Sequence, residues 1–196
     1  MTDGGWTASR RERGFTLPEL MIVMVVMGIL LGVGIPTYRD TIARTRVTSK
    51  MNELVGAMQA ARGEAVRRGV DVSVCAVESG VKCGNGSAGS WSTGWAVIAE
   101  DPAGTTGAQD ASDEVVGRND IESTTLTYRG WGTATPGLAI TYRPNGATRL
   151  GAGTNFQLVV CNSSSHGGAI TIDATGRPKA STLEGSDLSD QCGSVP

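Results

Sequence analysis

The sequence predicts an α+β fold, a long N-terminal helix laid on a C-terminal antiparallel β-sandwich-like head. Three observations carry this. Residues 16–35 are largely apolar over a membrane's thickness, apolar residues then recur at helical spacing up to Gly69, and beyond Gly69 the chain breaks into short β-rich runs. Gly, Pro, Asn and Ser separate those runs, and the 28 glycines and 18% charged residues favour a turn-rich head over a helical bundle. The 196 residues hold one compact domain and a long helix, and are too few for two ordinary domains.

The first element follows from the stretch RERGFTLPELMIVMVVMGILLGVGIPTY, residues 11–38. Twenty residues from Thr16 to Ile35 span about 30 Å as a helix, which matches the hydrocarbon core of a bilayer. Arg10, Arg11 and Arg13 precede it, so the positive-inside bias keeps the N-terminus cytoplasmic and sends residue 36 onward outside. A cleavable secretory signal is the plainer alternative. The run is longer than a usual apolar core of such a signal, no A-x-A-like site follows, and the pattern continues through Pro36 into more helix.

One acid, Glu19, sits inside this run. A carboxylate near mid-bilayer costs about 2.5–3.5 kcal/mol and so calls for a partner. A cut after Gly14 would supply one, a new amine on Phe15. Thr16 and Glu19 also fit the spacing of a capping box, with Pro18 tolerated in the first turn.

These residues carry a family resemblance. RG/FTLPEL, the apolar helix and Pro36 resemble the class III signal of type IV pilins and pseudopilins. The resemblance implies cleavage between Gly14 and Phe15 by a prepilin peptidase and methylation of the Phe15 amine. It implies that Glu19 is the assembly contact, pairing with the amine of a neighbouring subunit, and that Pro36 is a helix break. Pro18 departs from the commoner aliphatic residue there. The chain then reads as a leader over 1–14, a transmembrane helix over 15–36, an amphipathic helix over 37–69 and a periplasmic head over 70–196.

The amphipathic half rests on its own spacing. Val47, Met51, Leu54, Met58, Ala61 and Ala65 step by four and three, while Arg39, Arg44, Arg46, Lys50, Glu53, Arg62 and Arg67 mostly fill the other faces. Gly28, Gly32, Gly34 and Pro36 crowd one segment, expected to bend first, since a glycine costs about 1 kcal/mol of propensity and an interior proline about 3. The cations on this helix read as a solvated face with lipid-headgroup contacts.

In the head, residues 70–77, 94–100, 123–131, 138–148, 156–161 and 169–177 read as strands, with Pro144-Asn145-Gly146 a hairpin turn. Residues 101–122 are poor in large apolar residues and, counted from Glu100, hold seven acids, so they read as a long exposed loop. Four cysteines at 75, 83, 161 and 192 suit two disulfides in an exported head. Spacing favours Cys75–Cys83 and Cys161–Cys192 among three pairings. No CxxC occurs and the single histidine, His166, lies in a Ser/Gly loop, so neither zinc nor any other metal or cofactor is expected.

The head sequences ELVGAMQAARGEAVRRGVDVSVC, WSTGWAVIAED and TGRPK narrow the resemblance to the GspH/FimT group of minor pilins. That group implies partners among other minor and major pilins, residence in the bacterial inner membrane, and then a pilus or a type II secretion pseudopilus. In FimT-like pilins a late G-R-x-R motif contacts DNA. Here Arg177 matches its first arginine and Lys179 stands for the second, which keeps the charge and loses the planar fork. Arg143, Arg149 and Arg129 join this candidate patch only if the hairpin lies beside it. Residues 1–69 carry ten Lys/Arg against six Asp/Glu, and 70–196 seven against thirteen. Binding of double-stranded DNA against that acidic head would therefore be local, sequence-blind and salt-sensitive.

Trp91, Trp95 and Trp131 read as core rather than base-stacking platforms. Asp71 and Asp173 lack evident paired partners, and Ser163–Ser165 beside His166 have no orienting acid, which speaks against an enzyme. Two classes stay open: a DNA-binding minor pilin serving natural transformation, and a purely structural subunit of a pilus or a type II secretion pseudopilus.

Overall fold

The structure, a computed structural model, describes residues 15–77, 91, 93–104, 112–120, 126–132, 139–151, 153–162 and 166–192. Helix α1 runs Leu17–Arg68. Thr16 is its N-cap: the Thr16 carbonyl accepts from Leu20 N, and the Glu19 carboxylate reaches back to Thr16 N at 3.4 Å, one half of the capping box. Gly69 ends it with φ 70°, its N–H donating to Ala65 O at 3.0 Å, the left-handed cap that glycine permits. The expected break at Pro36 is not seen. One missing N–H removes a single rung from a 52-residue helix, and its neighbours keep theirs; Thr37 Oγ1 also bonds Val33 O at 3.1 Å.

Two compact units meet between Thr41 and Ile42. In the first, the large apolar side chains from Phe15 to Tyr38 are exposed, Leu17 at 74% and Val26 still at 49%. The helix is long and apolar enough there to cross a membrane.

In the second unit the predicted stripe is the core. Leu54, Met58, Ala61 and Ala65 are fully buried, with Val47 and Met51 nearly so. They pack against two antiparallel sheets built from β1 (Val72–Ala76), β2 (Gly94–Ala99), β3 (Glu114–Asp120), β4 (Leu126–Gly132), β5 (Ala139–Tyr142), β6 (Asn155–Asn162), β7 (His166–Asp173) and β8 (Pro178–Leu183). Strand orders are β3-β2-β1-β5 and β4-β6-β7-β8. Val72 and Val74, Trp95 and Val97, Ile140 and Tyr142, Leu158 and Val160, and Ile170 and Ile172 all turn into this one core with the helix stripe.

The opposite faces are buried too. Cys75, Val77, Ala96 and Ile98 form a cluster on the outside of the first sheet, and Val159, Cys161, Ala169 and Leu183 another on the second. Burial on both faces explains why these strands read as continuous apolar runs rather than alternating ones. Ser73 and Thr141, buried on the first outer face, satisfy each other through a 2.7 Å hydroxyl pair.

Helix α2 (Gly185–Cys192) packs Leu188 and Cys192 on the second outer face, where Cys192 is bonded to Cys161 with Cα atoms 5.7 Å apart. Cys75 is also disulfide-bonded, and Cys83 lies outside the described residues. At Gly167 an added Cβ would come 2.7 Å from Cys192 Sγ, and at Gly168 also 2.7 Å from Met51 Cε, so this glycine pair lets β7 approach both helices.

Three expectations need correction. Residues 101–122 are not one loop, because β3 occupies 114–120. It is an edge strand with one row of side chains in solvent, so it needs little apolar content. One salt bridge and a side-chain hydrogen bond tie it to the helix in addition to its ladder with β2: Arg68 pairs with Glu114 at 2.6 Å, and Asn119 donates to Glu53. The run ending TGRPK is a turn plus the start of β8, not a strand end. After the Pro144–Gly146 turn the chain makes one bridge, Tyr142 to Thr148, rather than a full hairpin strand.

Candidate functional site

Two groups of residues stand apart from the packing. The first is the N-terminal one. Phe15 is 82% exposed and Glu19 is exposed, with no cation paired to it among the described residues. Among the described residues its carboxylate accepts from Thr16 N, which leaves most of its acceptor capacity open. Gly14 lies outside the described residues.

The second group is a pair of turns. Arg143 opens a tight turn, its N–H donating to Ala147 O and its carbonyl accepting from Gly146 N, both at 2.8 Å. Asn145 Oδ1 accepts from Ala147 N at 3.0 Å and stiffens it. The second turn joins β7 to β8: Gly176 N bonds Asp173 O at 3.0 Å, and the Asp173 carboxylate accepts from the N–H and hydroxyl of Thr175. Those bonds, the hydroxyl first, hold the Asp173 carboxyl below its ordinary range, with Lys179 adding a smaller pull.

The turns touch. A Cβ on Gly176 would sit 2.6 Å from Gly146 O and 3.2 Å from the Tyr142 ring, and Gly176 has φ +76°, so only glycine fits. Thr148 crosses between them, its N–H to Ala174 O at 3.1 Å and its hydroxyl to Asp173 O at 3.0 Å. The hairpin region therefore does lie beside the GRPK motif. Arg143, Arg177 and Lys179 are all exposed there, and none pairs with a carboxylate among the described residues within ion-pair distance.

Arg149 does not join them. It is ion-paired with Asp71, which spends its charge locally. The side chains of Arg129 and Trp131 lie outside the described part, as do Ser163–Ser165. Trp91 and Trp95 are 2% exposed and belong to the core, so neither offers a stacking face. Among the described residues no cluster of His, Cys, Asp or Glu is arranged to hold a metal ion.

Comparison with known proteins bears on the family of the chain. The family described as type II transport protein GspH matches residues 50–176, and the prokaryotic N-terminal methylation motif matches residues 9–35. The chain belongs to the GspH family. The GspH model and the methylation motif together cover most of the chain, the motif on the apolar helix and the GspH match from the amphipathic half into the head.

Curated relatives match over shorter stretches. A fimbrial protein of Pseudomonas aeruginosa is 43% identical over 63 residues, 32% of this chain and 40% of that protein. The type IV major fimbrial protein FimA of Dichelobacter nodosus is 42% identical over 64 residues, 33% of this chain and 40% of its own. The chain thus spans about 40% of the length of these relatives. The crystal structure of the type IV minor pilin FimU of Pseudomonas aeruginosa superposes with a TM-score of 0.51 at 22% identity, covering 73% of this chain and 91% of that one, which shows a shared pilin fold.

The sequence offers Arg177 and Lys179 as candidates because their motif is contiguous. It leaves Arg62 on the helix's solvated face, yet Arg62 Nε donates to Gly146 O at 2.8 Å across 84 residues of sequence. No local signal marks that contact.

Proposed function

We propose that this protein is a minor pilin that enters a type IV pilus or a related pseudopilus after prepilin processing. The observation that carries this reading is the exposure of the large apolar side chains from Phe15 to Tyr38 together with an acid, Glu19, that meets no cation among the described residues. Lipid can cover the apolar surface before assembly, and neighbouring helices can cover it afterwards. The acid fits only the second setting well, where the amine on an adjoining Phe15 pairs with it. Gly14 and Phe15 are then the cleavage point, the prepilin peptidase is the processing partner, and the inner membrane is the waiting place. Replacing Glu19 with alanine tests this: cleavage after Gly14 continues while incorporation into filaments falls. Normal incorporation of the variant would overturn the assembly role.

A finer reading concerns the head. We infer that the paired turns bearing Arg143, Arg177 and Lys179 bind double-stranded DNA through its phosphates, as a receptor for uptake. What supports it is the Gly146–Gly176 packing, which sets the Arg143 turn against the turn of Arg177, with Lys179 at the start of β8; none of the three is ion-paired among the described residues. An Arg177→Ala/Lys179→Ala double variant should lose affinity and flatten its salt dependence, because two phosphate contacts are removed. Equal binding by the variant would return the protein to a purely structural role in a pilus or secretion pseudopilus.

A further inference from the structure

Arg62 serves the two turns from the helix side. Its Nε holds the Gly146 carbonyl at 2.8 Å. Gly146 is buried with φ +78°, and a Cβ there would stand 3.1 Å from Arg62 Nε and 3.4 Å from Nη2. The same carbonyl backs onto Gly176, so one oxygen joins the helix arginine to the turn that carries Arg177.

The remaining donors of Arg62 are unused. Nη1 and Nη2 meet no acceptor among the described residues, and no carboxylate pairs with this side chain, whereas Arg68, Arg118 and Arg149 each hold one. Clamping one carbonyl needs a single N–H, which a neutral amide would supply without a half-buried, unpaired cation. Asp173, on the neighbouring turn, accepts from Thr175 and forms no ion pair with Arg62. A half-buried guanidinium with one edge fixed and its outer nitrogens open suits a phosphate diester, whose two oxygens match the fork.

We propose that Arg62 is a phosphate-binding residue, its Nε locking the turn pair and its terminal nitrogens completing the anion surface with Arg143 and Arg177. This rests on the DNA reading above and names a contact that the GRPK motif does not contain.

The test uses the full chain in a non-ionic detergent, titrated with a fluorescent duplex at several salt concentrations. Arg62→Gln keeps a donor for Gly146 O and removes the charge. It should retain the wild-type melting temperature, bind about 5–30-fold more weakly at low salt, and lower the log–log salt slope by about 0.9. An unchanged slope, in a background where Arg177→Ala/Lys179→Ala does change it, overturns the proposal and leaves the DNA reading intact. If Arg62→Gln fails to fold, Arg62→Lys decides: weaker binding at an unchanged slope supports the fork contact, and wild-type affinity overturns it. If wild type binds no duplex, the DNA reading falls, and calorimetry with tripolyphosphate then judges the site alone. Heat that Arg62→Gln abolishes supports a phosphate site, and no heat, or equal heat, overturns it.

Discussion

Replacing Gly168 with alanine should destabilise the head through one identifiable contact. The new Cβ would fall 2.7 Å from Met51 Cε, inside contact distance of Met51 Sδ, and 3.2 Å from Ser181 O. Met51 is 5% exposed but lines a groove of about 250 Å³ beside Gly167, so partial retreat of its side chain keeps the cost below that of a clash with backbone. Overpacking of this kind costs about 1–3 kcal/mol, and the loss of glycine's unfolded-state freedom returns about 0.4–1. The net expectation is about 1–2 kcal/mol. Met51→Ala alone should cost about 2–5 kcal/mol, because it leaves a hole beneath β7. In the double variant the alanine methyl enters that hole, so the pair should cost about 1–2 kcal/mol less than the sum of the singles. A head beginning at Ile42 keeps every core residue, and urea unfolding followed by the buried Trp91 and Trp95 reads the differences. Additivity within about 0.5 kcal/mol would refute the claim that glycine is required here to admit Met51.

Removing the Cys161–Cys192 bond by double alanine substitution opens a loop of sequence separation 31 and should cost about 3.5–4 kcal/mol on the chain-entropy model, read as a lowered urea midpoint. Acid should loosen β3 from the helix. Glu64 is held below its ordinary value of 4.5 by Arg67 and Arg68, and Glu114 by Arg68, so their contribution is complete above that pH and lost as pH falls through the folded values. Glu114→Gln should flatten this acid limb in hydrogen exchange of residues 114–120; an unchanged limb would sink the assignment. Tyr142 is raised well above its usual 10 by burial, so its phenol should stay neutral in alkaline absorbance titration until the head unfolds. The sign is opposite to the acids: stability is complete below pH 10 and falls above it, where the unfolded phenol ionises and the folded one does not.

The sequence carried most of the helix and much of the head. Thr16, Glu19 and Gly69 are local end signals, and each acts at its own helix terminus. The stripe from Val47 to Ala65 was legible because helical spacing states which face is buried. β3 was illegible for the converse reason. It is fixed by Arg68 and Glu53, 46 and 66 residues away, and sequence spacing says nothing about such partners. Strands β1 and β2 could be found but not oriented, since burial on both faces erases the period-2 alternation that names an inner face.

The charged site divides along the same line. Arg177 and Lys179 share a motif with the glycine that shapes their turn, so their chemistry could be read in place. Whether Arg143 and Arg149 belonged beside them depended on the fold, and the two separate there. Both are exposed arginines near the same turn, yet Arg149 meets Asp71 while Arg143 meets no acid among the described residues. A net head charge of six negatives does not by itself decide binding, because the acids near the turns differ: Asp71 is paired with Arg149, while Asp173 is bonded to neutral groups of Thr175 and keeps its charge. What an approaching polyanion meets within a Debye length of about 8 Å is then governed by those local pairings, and Asp71→Asn, which frees Arg149, should strengthen duplex binding. Release of Arg149 and relief of the head's negative field both predict a gain, so weaker or equal binding by that variant would refute an electrostatic encounter at these turns.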